Sequence, residues 1–194
     1  DGVIDNCTFI SNNATTHGGA IFMQGSVEGN CSNISISNIY CEDNYAGVNG
    51  GAVDWYKGAH DCTLVNATFI NNIANRSGGA VFWSGINGTI RNTNFTNNKA
   101  LGNVEAEDSY GNMTKGGNGG AIMWIGSNGN VVECTFKFNT AAVNGGAAYL
   151  QGSNNIIDTG LSNNTRFDTC IFINNTAGVN GGAIDWYRGA RNGH

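Results

Sequence analysis

Apolar and polar positions alternate in short bursts along the whole chain, and the bursts recur at a regular spacing. Alternation with a period of two is typical of β-strands. Two motifs frame the bursts: an aromatic residue followed three positions later by Asn or Asp, and then a Gly-Gly-Ala unit. The shortest full repeat spans 26 residues, as from Phe69 to Phe95. A fixed period in this range indicates one supersecondary unit that is stacked many times.

The framing motifs occur six times, and their residue types suit the corners of a solenoid. Asn tolerates left-handed backbone and can bond to the same residue in the next repeat, while Gly permits positive φ. The aromatics are Phe9, Tyr40, Phe69, Phe95, Phe136 and Phe172. The residues predicted to form a stacked amide ladder are Asn12, Asp43, Asn72, Asn98, Asn139 and Asn175. The Gly-Gly-Ala units begin at Gly18, Gly50, Gly78, Gly119, Gly145 and Gly181.

The alternating bursts predict an all-β fold, a right-handed parallel β-helix formed by residues 1–194 as a single segment. Three short strands and three turns fit one rung of about 26 residues, so the chain holds about six rungs. A left-handed β-helix is the alternative, but its rungs are shorter multiples of a hexapeptide. Insertions near 99–118 and 153–166 lengthen two of the turns.

Composition narrows the classes of partner and cofactor. The 194 residues include 30 Gly, no Pro and 12% charged residues, with a formal net charge of -5. Nucleic acid is not expected as a partner, because the nine basic residues are scattered and phosphate binding requires clustered Lys and Arg. Neither the Cys nor the His residues have metal-ligand spacing, so we expect no metal or other cofactor. No apolar run is long enough for a membrane span, so we expect no direct membrane insertion.

A longer repeat is superimposed on the short one. The sequence from Asn44 to Ala59 returns almost unchanged from Asn175 to Ala190. A unit of four rungs is therefore repeated, and neither end shows the atypical capping repeat of a free solenoid. We expect the native protein to continue on one or both sides.

The paired motifs resemble a known family. Phe-x-x-Asn together with Gly-Gly-Ala-[Ile/Leu/Val], as from Phe69 to Asn72 with Gly78 to Val81 and from Phe172 to Asn175 with Gly181 to Ile184, resembles the chlamydial polymorphic membrane proteins. The Asn-rich, Pro-free sequence is also similar to adhesin-like surface proteins of methanogenic archaea. The resemblance implies a β-helical stalk displayed outside the cell, with a role in attachment. It names no ligand.

The strand after each Gly-Gly-Ala unit supplies the candidate binding surface. Positions between its inward residues should point outward and stack into a stripe of aromatic and apolar groups, which typically marks a binding site. A glycan, a protein of another cell surface or a neighbouring copy of the chain would bind there. Alternatively, the long inserted turns fold over the stripe and bury it. The proposed surface consists of Phe22, Asp54, Tyr56, Phe82, Met123, Tyr149, Asp185 and Tyr187.

Asp54 and Asp185 also suggest an alternative, a carbohydrate-active β-helix enzyme of the pectate lyase type. Hydrolysis by the usual route needs two carboxylates about 5 to 9.5 Å apart, and the neighbouring rungs provide none beside either residue. We therefore expect no catalytic residues, and a non-enzymatic extracellular adhesin or stalk segment. A purely structural spacer of the cell envelope is the remaining alternative.

Two kinds of covalent modification are suggested by the sequence. Cys31 and Cys62 follow their Gly-Gly units at similar distances, so a disulfide between adjacent rungs is predicted, with buried free thiols as the alternative. The same alternatives apply to Cys134 and Cys170. Asn-x-Ser/Thr triplets occur in excess and suggest a glycoprotein, with Asn112 in the long insertion as the most accessible site.

Overall fold

The computed structural model describes residues 1–25, 31–107, 113–151 and 164–187. These residues form 27 strands, and no helix among them is long and apolar enough to cross a membrane. Four parallel sheets contain all but two of the strands. Because the chain passes through the four sheets six times, the fold is a parallel β-helix, and each passage is called a rung below.

Each sheet takes one strand from every rung. The first sheet contains β1 (Gly2–Asp5), β6 (Ile34–Ser37), β10 (Thr63–Val65), β14 (Thr89–Arg91), β20 (Asn130–Val132) and β24 (Arg166–Asp168). The second contains β2 (Thr8–Ile10), β7 (Tyr40–Glu42), β11 (Thr68–Ile70), β15 (Asn94–Thr96), β21 (Thr135–Lys137) and β25 (Ile171–Ile173). The third contains β3 (Asn13–Ala14), β8 (Tyr45–Ala46), β12 (Ile73–Ala74), β16 (Lys99–Ala100), β22 (Thr140–Ala141) and β26 (Thr176–Ala177).

The fourth sheet follows the Gly-Gly-Ala units. It contains β4 (Ile21–Gln24), β9 (Val53–His60), β13 (Val81–Ile86), β19 (Ile122–Ile125), β23 (Ala148–Gln151) and β27 (Ile184–Tyr187), and β5 (Cys31–Ser32) also pairs with β9. The long insertion of the fourth rung forms an antiparallel pair, β17 (Ala106–Glu107) with β18 (Met113–Thr114). Each rung thus has four strands instead of the predicted three, because the two-residue strands of the third sheet are too short to show alternation.

In-register stacking of identical side chains forms the core. The Phe95 ring lies between those of Phe69 and Phe136, with centroids 5.1 and 4.9 Å apart and planes within 6° of parallel. Trp83 and Trp124 stack in the same way at 4.8 Å. Such large buried aromatic surfaces dominate the burial of apolar area, so every rung stabilises both of its neighbours.

The amide ladder runs through one corner of the core. Asn98 donates from Nδ2 to Asn139 Oδ1 at 3.0 Å and to the carbonyl oxygen of Phe69 at 3.1 Å. Its own Oδ1 accepts from both the backbone N and Nδ2 of Asn72, each at 3.0 Å. The members of the ladder are Asn12, Asn44, Asn72, Asn98, Asn139 and Asn175. Further amide columns lie on the surface, where Asn92 donates to Asn66 and Asn66 donates to Asn38.

The second rung corrects two predicted positions. Phe9 and Phe69 both pair with Cys41, so Cys41 occupies the place assigned to the aromatic Tyr40. The ladder residue shifts by the same one position, to Asn44 instead of Asp43. An Asp carboxylate has no N–H to donate and could not continue the chain of amide bonds. Asp43 instead adopts positive φ in the turn, at 55°.

The two glycines of each Gly-Gly pair serve different purposes. The first has positive φ, as at Gly78 with 67°, a region that L side chains rarely adopt. The second packs directly on the next rung: a Cβ added to Gly79 would overlap the carbonyl oxygen of Gly120 and lie 2.6 Å from Lys99 N. A side chain at the second glycine would therefore hold adjacent rungs apart.

The predicted disulfide between Cys31 and Cys62 is wrong, because all six cysteines are free thiols in the structure. Cys31 pairs with Ala59 in β9, three positions before Cys62. The strand β9 carries an irregularity opposite β13, with positive φ at Lys57 and Gly58. The register of the cysteines shifts for another reason: Gln24 pairs with Tyr56, and from there to the Cys31–Ala59 pair the first rung has seven positions but β9 has three. Cys134 and Cys170 are likewise free.

Candidate functional site

The outward column of the fourth sheet is in register across all six rungs. Its predicted exposure is wrong, because most of the column is covered. Phe22 is 45% exposed and Asp185 is half-buried. In the adjacent outward column Tyr56 is half-buried and Tyr187 is 40% exposed. The buried members are Asp54, Phe82, Met123 and Tyr149. The stripe is thus reduced to two separate patches, one around Phe22 and Tyr56 and one around Tyr187.

Two physical causes bury the middle of the column. The turn before each strand folds back over the strand's outer face: a Cβ on Gly50 would lie 2.8 Å from Asp54 Cβ, and one on Gly78 would lie 3.1 Å from Phe82 Cα. In addition, apolar side chains stacked in register cover one another. Outside the main core a second apolar cluster forms, consisting of Phe82, Met123 and Tyr149 with Tyr56 and Ile125 packed against it.

The patch at the first two rungs is built around His17, and we call it the His17 cluster: His17, Phe22, Asp54, Tyr56 and Lys57. His17 Nδ1 lies 2.9 Å from Asp54 Oδ2. The imidazole centroid is 5.6 Å from that of Phe22 and 4.8 Å from that of Tyr56, and the two carbocyclic rings are 6.2 Å apart. Lys57 Nζ lies 5.1 Å from the Tyr56 centroid, within cation–π distance. Three rings, one of them an imidazole, and one ammonium group therefore meet at one surface.

Asp54 is the acid of the His17 cluster, and its pKa is perturbed. Burial raises the pKa of its carboxyl to about 6, although the hydrogen bond with His17 and the charge of His17 act in the opposite direction. Its second oxygen, Oδ1, is buried and has no hydrogen-bond partner among the described residues. A buried carboxylate with one partner is costly, so the imidazole is its main compensation.

The fifth and sixth rungs repeat the arrangement in part. Tyr149 and Tyr187 stack at 6.0 Å, corresponding to Phe22 and Tyr56 in the first two rungs. Asp185 takes the place of Asp54, and burial raises the pKa of its carboxyl. Asn144, which precedes Gly145, stands where His17 precedes Gly18. The copy therefore keeps the rings and the acid and replaces the imidazole with an amide.

Sequence reasoning missed His17. It precedes Asp54 by 37 positions, and it lies in the turn before Gly-Gly instead of in an alternating burst. The available signal was its position: residues immediately before Gly-Gly stack in register, as Asn49 does with Ser77. A residue in that column lies over the outward side chain of the next rung.

The structure also bears on metal binding and on glycosylation. Among the described residues, no three His, Cys, Asp or Glu side chains lie close enough together to hold a metal ion. Asn112, the predicted glycosylation site, lies outside the described residues. Two other Asn-x-Thr sites have their amide nitrogens engaged in surface hydrogen bonds, Asn66 to Asn38 and Asn87 to Asp61.

Comparison with protein families identifies the repeat. The family model for the Chlamydia polymorphic membrane protein repeat matches residues 6–24, 92–123 and 169–185. Each matched segment contains one aromatic-x-x-Asn motif and one Gly-Gly-Ala unit. The chain therefore carries repeats of the polymorphic membrane protein type, as its motifs predicted. No curated protein and no solved structure matches the chain significantly.

Proposed function

We propose that this chain, with its repeats of the polymorphic membrane protein type, is a segment of a non-enzymatic cell-surface adhesin or stalk that mediates attachment. The repeat itself carries the proposal, because the matched family is one of membrane proteins and its name implies display at the cell envelope. The partner is a glycan or protein on a cell surface, or a neighbouring copy of the chain.

The fold suits this role physically. Rungs stack about 4.8 Å apart, so a solenoid gains length in proportion to its repeats and keeps a small cross-section. The ring stacks and the amide ladder bond each rung to the next, which makes the segment stiff along its axis. Side chains that vary between rungs, such as Phe22 and Tyr187, are then held at fixed positions away from the cell.

Adhesion of the isolated chain tests the proposal. Beads coated with the purified chain are incubated with cells, with immobilised glycans and with beads carrying the same chain. Beads coated with an Asn98→Pro variant, which interrupts the ladder and the backbone bonds of Asn98, provide the unfolded control. The folded chain should adhere to at least one of these surfaces, and the control should not.

Equal adhesion by both forms, or by neither, would overturn the proposal and favour the purely structural spacer. Incubation with acidic polysaccharides addresses the enzymatic alternative. Release of new reducing ends or unsaturated sugars by the folded chain would replace attachment with catalysis as the function.

A further inference from the structure

We propose that the His17 cluster is a binding site for an acidic saccharide. This inference rests on the proposed attachment function and names the class of ligand and the residues that contact it. The site spans the first two rungs, with Phe22 on β4, Tyr56 and Lys57 on β9, and His17 in the turn before β4.

The rings form the platform. Phe22, His17 and Tyr56 have centroids 4.8 to 6.2 Å apart and interplanar angles between 26° and 42°. Phe22 is 45% exposed, although an apolar side chain on a regular strand gains from burial. The C–H faces of a pyranose ring pack against aromatic side chains of this kind. Aromatic walls with a few fixed polar groups are typical of small-molecule sites.

Asp54 fixes the orientation of the polar group at the centre. Its Oδ2 holds His17 Nδ1, so the other ring nitrogen, Nε2, faces the opposite direction. Nε2 has no hydrogen-bond partner among the described residues, and it is not buried. The His17 side chain is 22% exposed. Nε2 is thus available for a hydrogen bond with a ligand at the edge of the ring platform.

Lys57 supplies the charge that selects an acidic sugar. The irregularity in β9 gives Lys57 a φ of 61° and takes it out of the strand register, and its ammonium lies 5.1 Å from the Tyr56 centroid. Lys57 forms no salt bridge within the described part of the chain. Lys57 is also exposed, so its ammonium is accessible to a ligand. A charge-assisted bond to a ligand carboxylate would use the Lys57 ammonium.

The experiment compares three acidic saccharides with a neutral form of one of them. Oligogalacturonate, hyaluronan oligosaccharides and oligomannuronate are titrated calorimetrically into the purified chain, and methyl-esterified oligogalacturonate provides the neutral control. We expect binding of at least one acidic oligosaccharide and a loss of about tenfold or more on esterification, because esterification removes the charge-assisted bond. Binding should also weaken with added salt.

Variants assign the binding to these residues. Lys57→Asn retains a residue that tolerates positive φ, and Phe22→Ser removes the exposed ring; each should lower affinity about tenfold. His17→Gln tests the imidazole, with the melting temperature recorded because the variant also leaves Asp54 unpaired. Ile171→Ser is the matched control, since Ile171 is also an exposed apolar strand residue, at 55%, but belongs to the second sheet.

The inference is overturned if none of the three acidic oligosaccharides binds, if the methyl ester binds equally well, or if Lys57→Asn and Phe22→Ser bind like the unchanged chain. Adhesion that persists in these variants would leave the attachment function in place and refute only this site. Saccharide binding without any adhesion would support the site and refute attachment.

Discussion

His17 Nδ1 lies 2.9 Å from Asp54 Oδ2 and joins the first rung to the second. The carboxyl is fully buried, and its second oxygen has no partner among the described residues. The pair therefore joins the two rungs. It also carries an electrostatic cost to the folded state, because a single imidazole compensates a carboxyl that water cannot reach.

Titration of Asp54 should make stability fall as pH rises. The folded pKa is raised from 3.8 to about 6, so the folded state binds the proton more tightly than the unfolded state does. The contribution of the protonated acid is fully present below about pH 4 and is lost as pH rises through about 6. Relative to Asp54→Asn, the unfolding free energy of the unchanged chain should decrease by about 3 kcal/mol across this window.

Denaturant unfolding at a series of pH values measures this difference. Asp61→Asn is the matched control, because Asp61 is exposed and accepts a surface hydrogen bond from Asn87. A difference between the chain and Asp54→Asn that stays constant from pH 4 to pH 7 would contradict the assigned burial cost.

Removal of an amide from the ladder should be strongly destabilising. Asn98→Ala deletes two donated and two accepted hydrogen bonds in a fully buried position. The neighbouring amides and the Phe69 carbonyl would lose partners where water cannot replace them. We expect a loss of about 3 to 5 kcal/mol in unfolding free energy. Asn98→Asp should be comparably harmful, because the carboxylate has no donor.

Asn97→Gly provides the control for this prediction. Asn97 is the adjacent residue, has a φ of 56° and donates to Asn71 at the surface. Glycine tolerates that φ, so the loss should remain below about 1 kcal/mol. Equal losses of unfolding free energy at Asn97 and Asn98 would show that the interior ladder stabilises the fold no more than a surface amide column does.

The second glycine of each pair permits a comparison between rungs. A Cβ at Gly79 would overlap the carbonyl oxygen of Gly120, whereas a Cβ at Gly182 meets only Asn175 O, at 3.5 Å. Gly79→Ala should therefore lower the melting temperature sharply or prevent folding, and Gly182→Ala should leave it within a few degrees. Similar effects of the two substitutions on thermal unfolding would refute the proposed contact between rungs.

The thiols should all be available for alkylation once the chain is unfolded. Iodoacetamide in denaturant, without reductant, should add six adducts, since all six cysteines are free. In the folded chain Cys41 should react slowly, because burial raises its pKa to about 12 and removes the reactive thiolate. Mass spectrometry counts the adducts. Fewer than six in denaturant, restored to six by reductant, would reveal a disulfide.

The fold could be predicted because every rung requires the same residue types at the same positions, and these recur at a fixed period in the sequence. Gly79 and Asn98 are constrained by contacts along the solenoid axis, so they recur at fixed spacing in the sequence. In the second rung the aromatic position was assigned wrongly. Cys41 occupies it, and the aromatic Tyr40 lies one position earlier in the sequence. A motif that relies on one bulky side chain fails where a small one fills the same buried place.

The site was less predictable because exposure depends on contacts between rungs. Alternation indicated correctly that Phe82 faces outward from its strand, but it could not show that a turn and the stacked neighbours cover it. His17 and Asp54 lie 37 positions apart and belong to different local motifs. Only the stacking register brings such residues together.

The amide columns also carry a direction. In the core, each ladder amide from Asn12 to Asn139 donates one Nδ2 hydrogen bond to the amide of the later rung, as from Asn72 to Asn98. At the surface the direction is reversed, as from Asn92 to Asn66. The side-chain dipoles of the two kinds of column therefore oppose each other along the axis. An α-helix accumulates its peptide dipoles at its ends. Here each added rung lengthens both kinds of column, so the amide dipoles of the core ladder are offset by those of the surface columns as the solenoid grows.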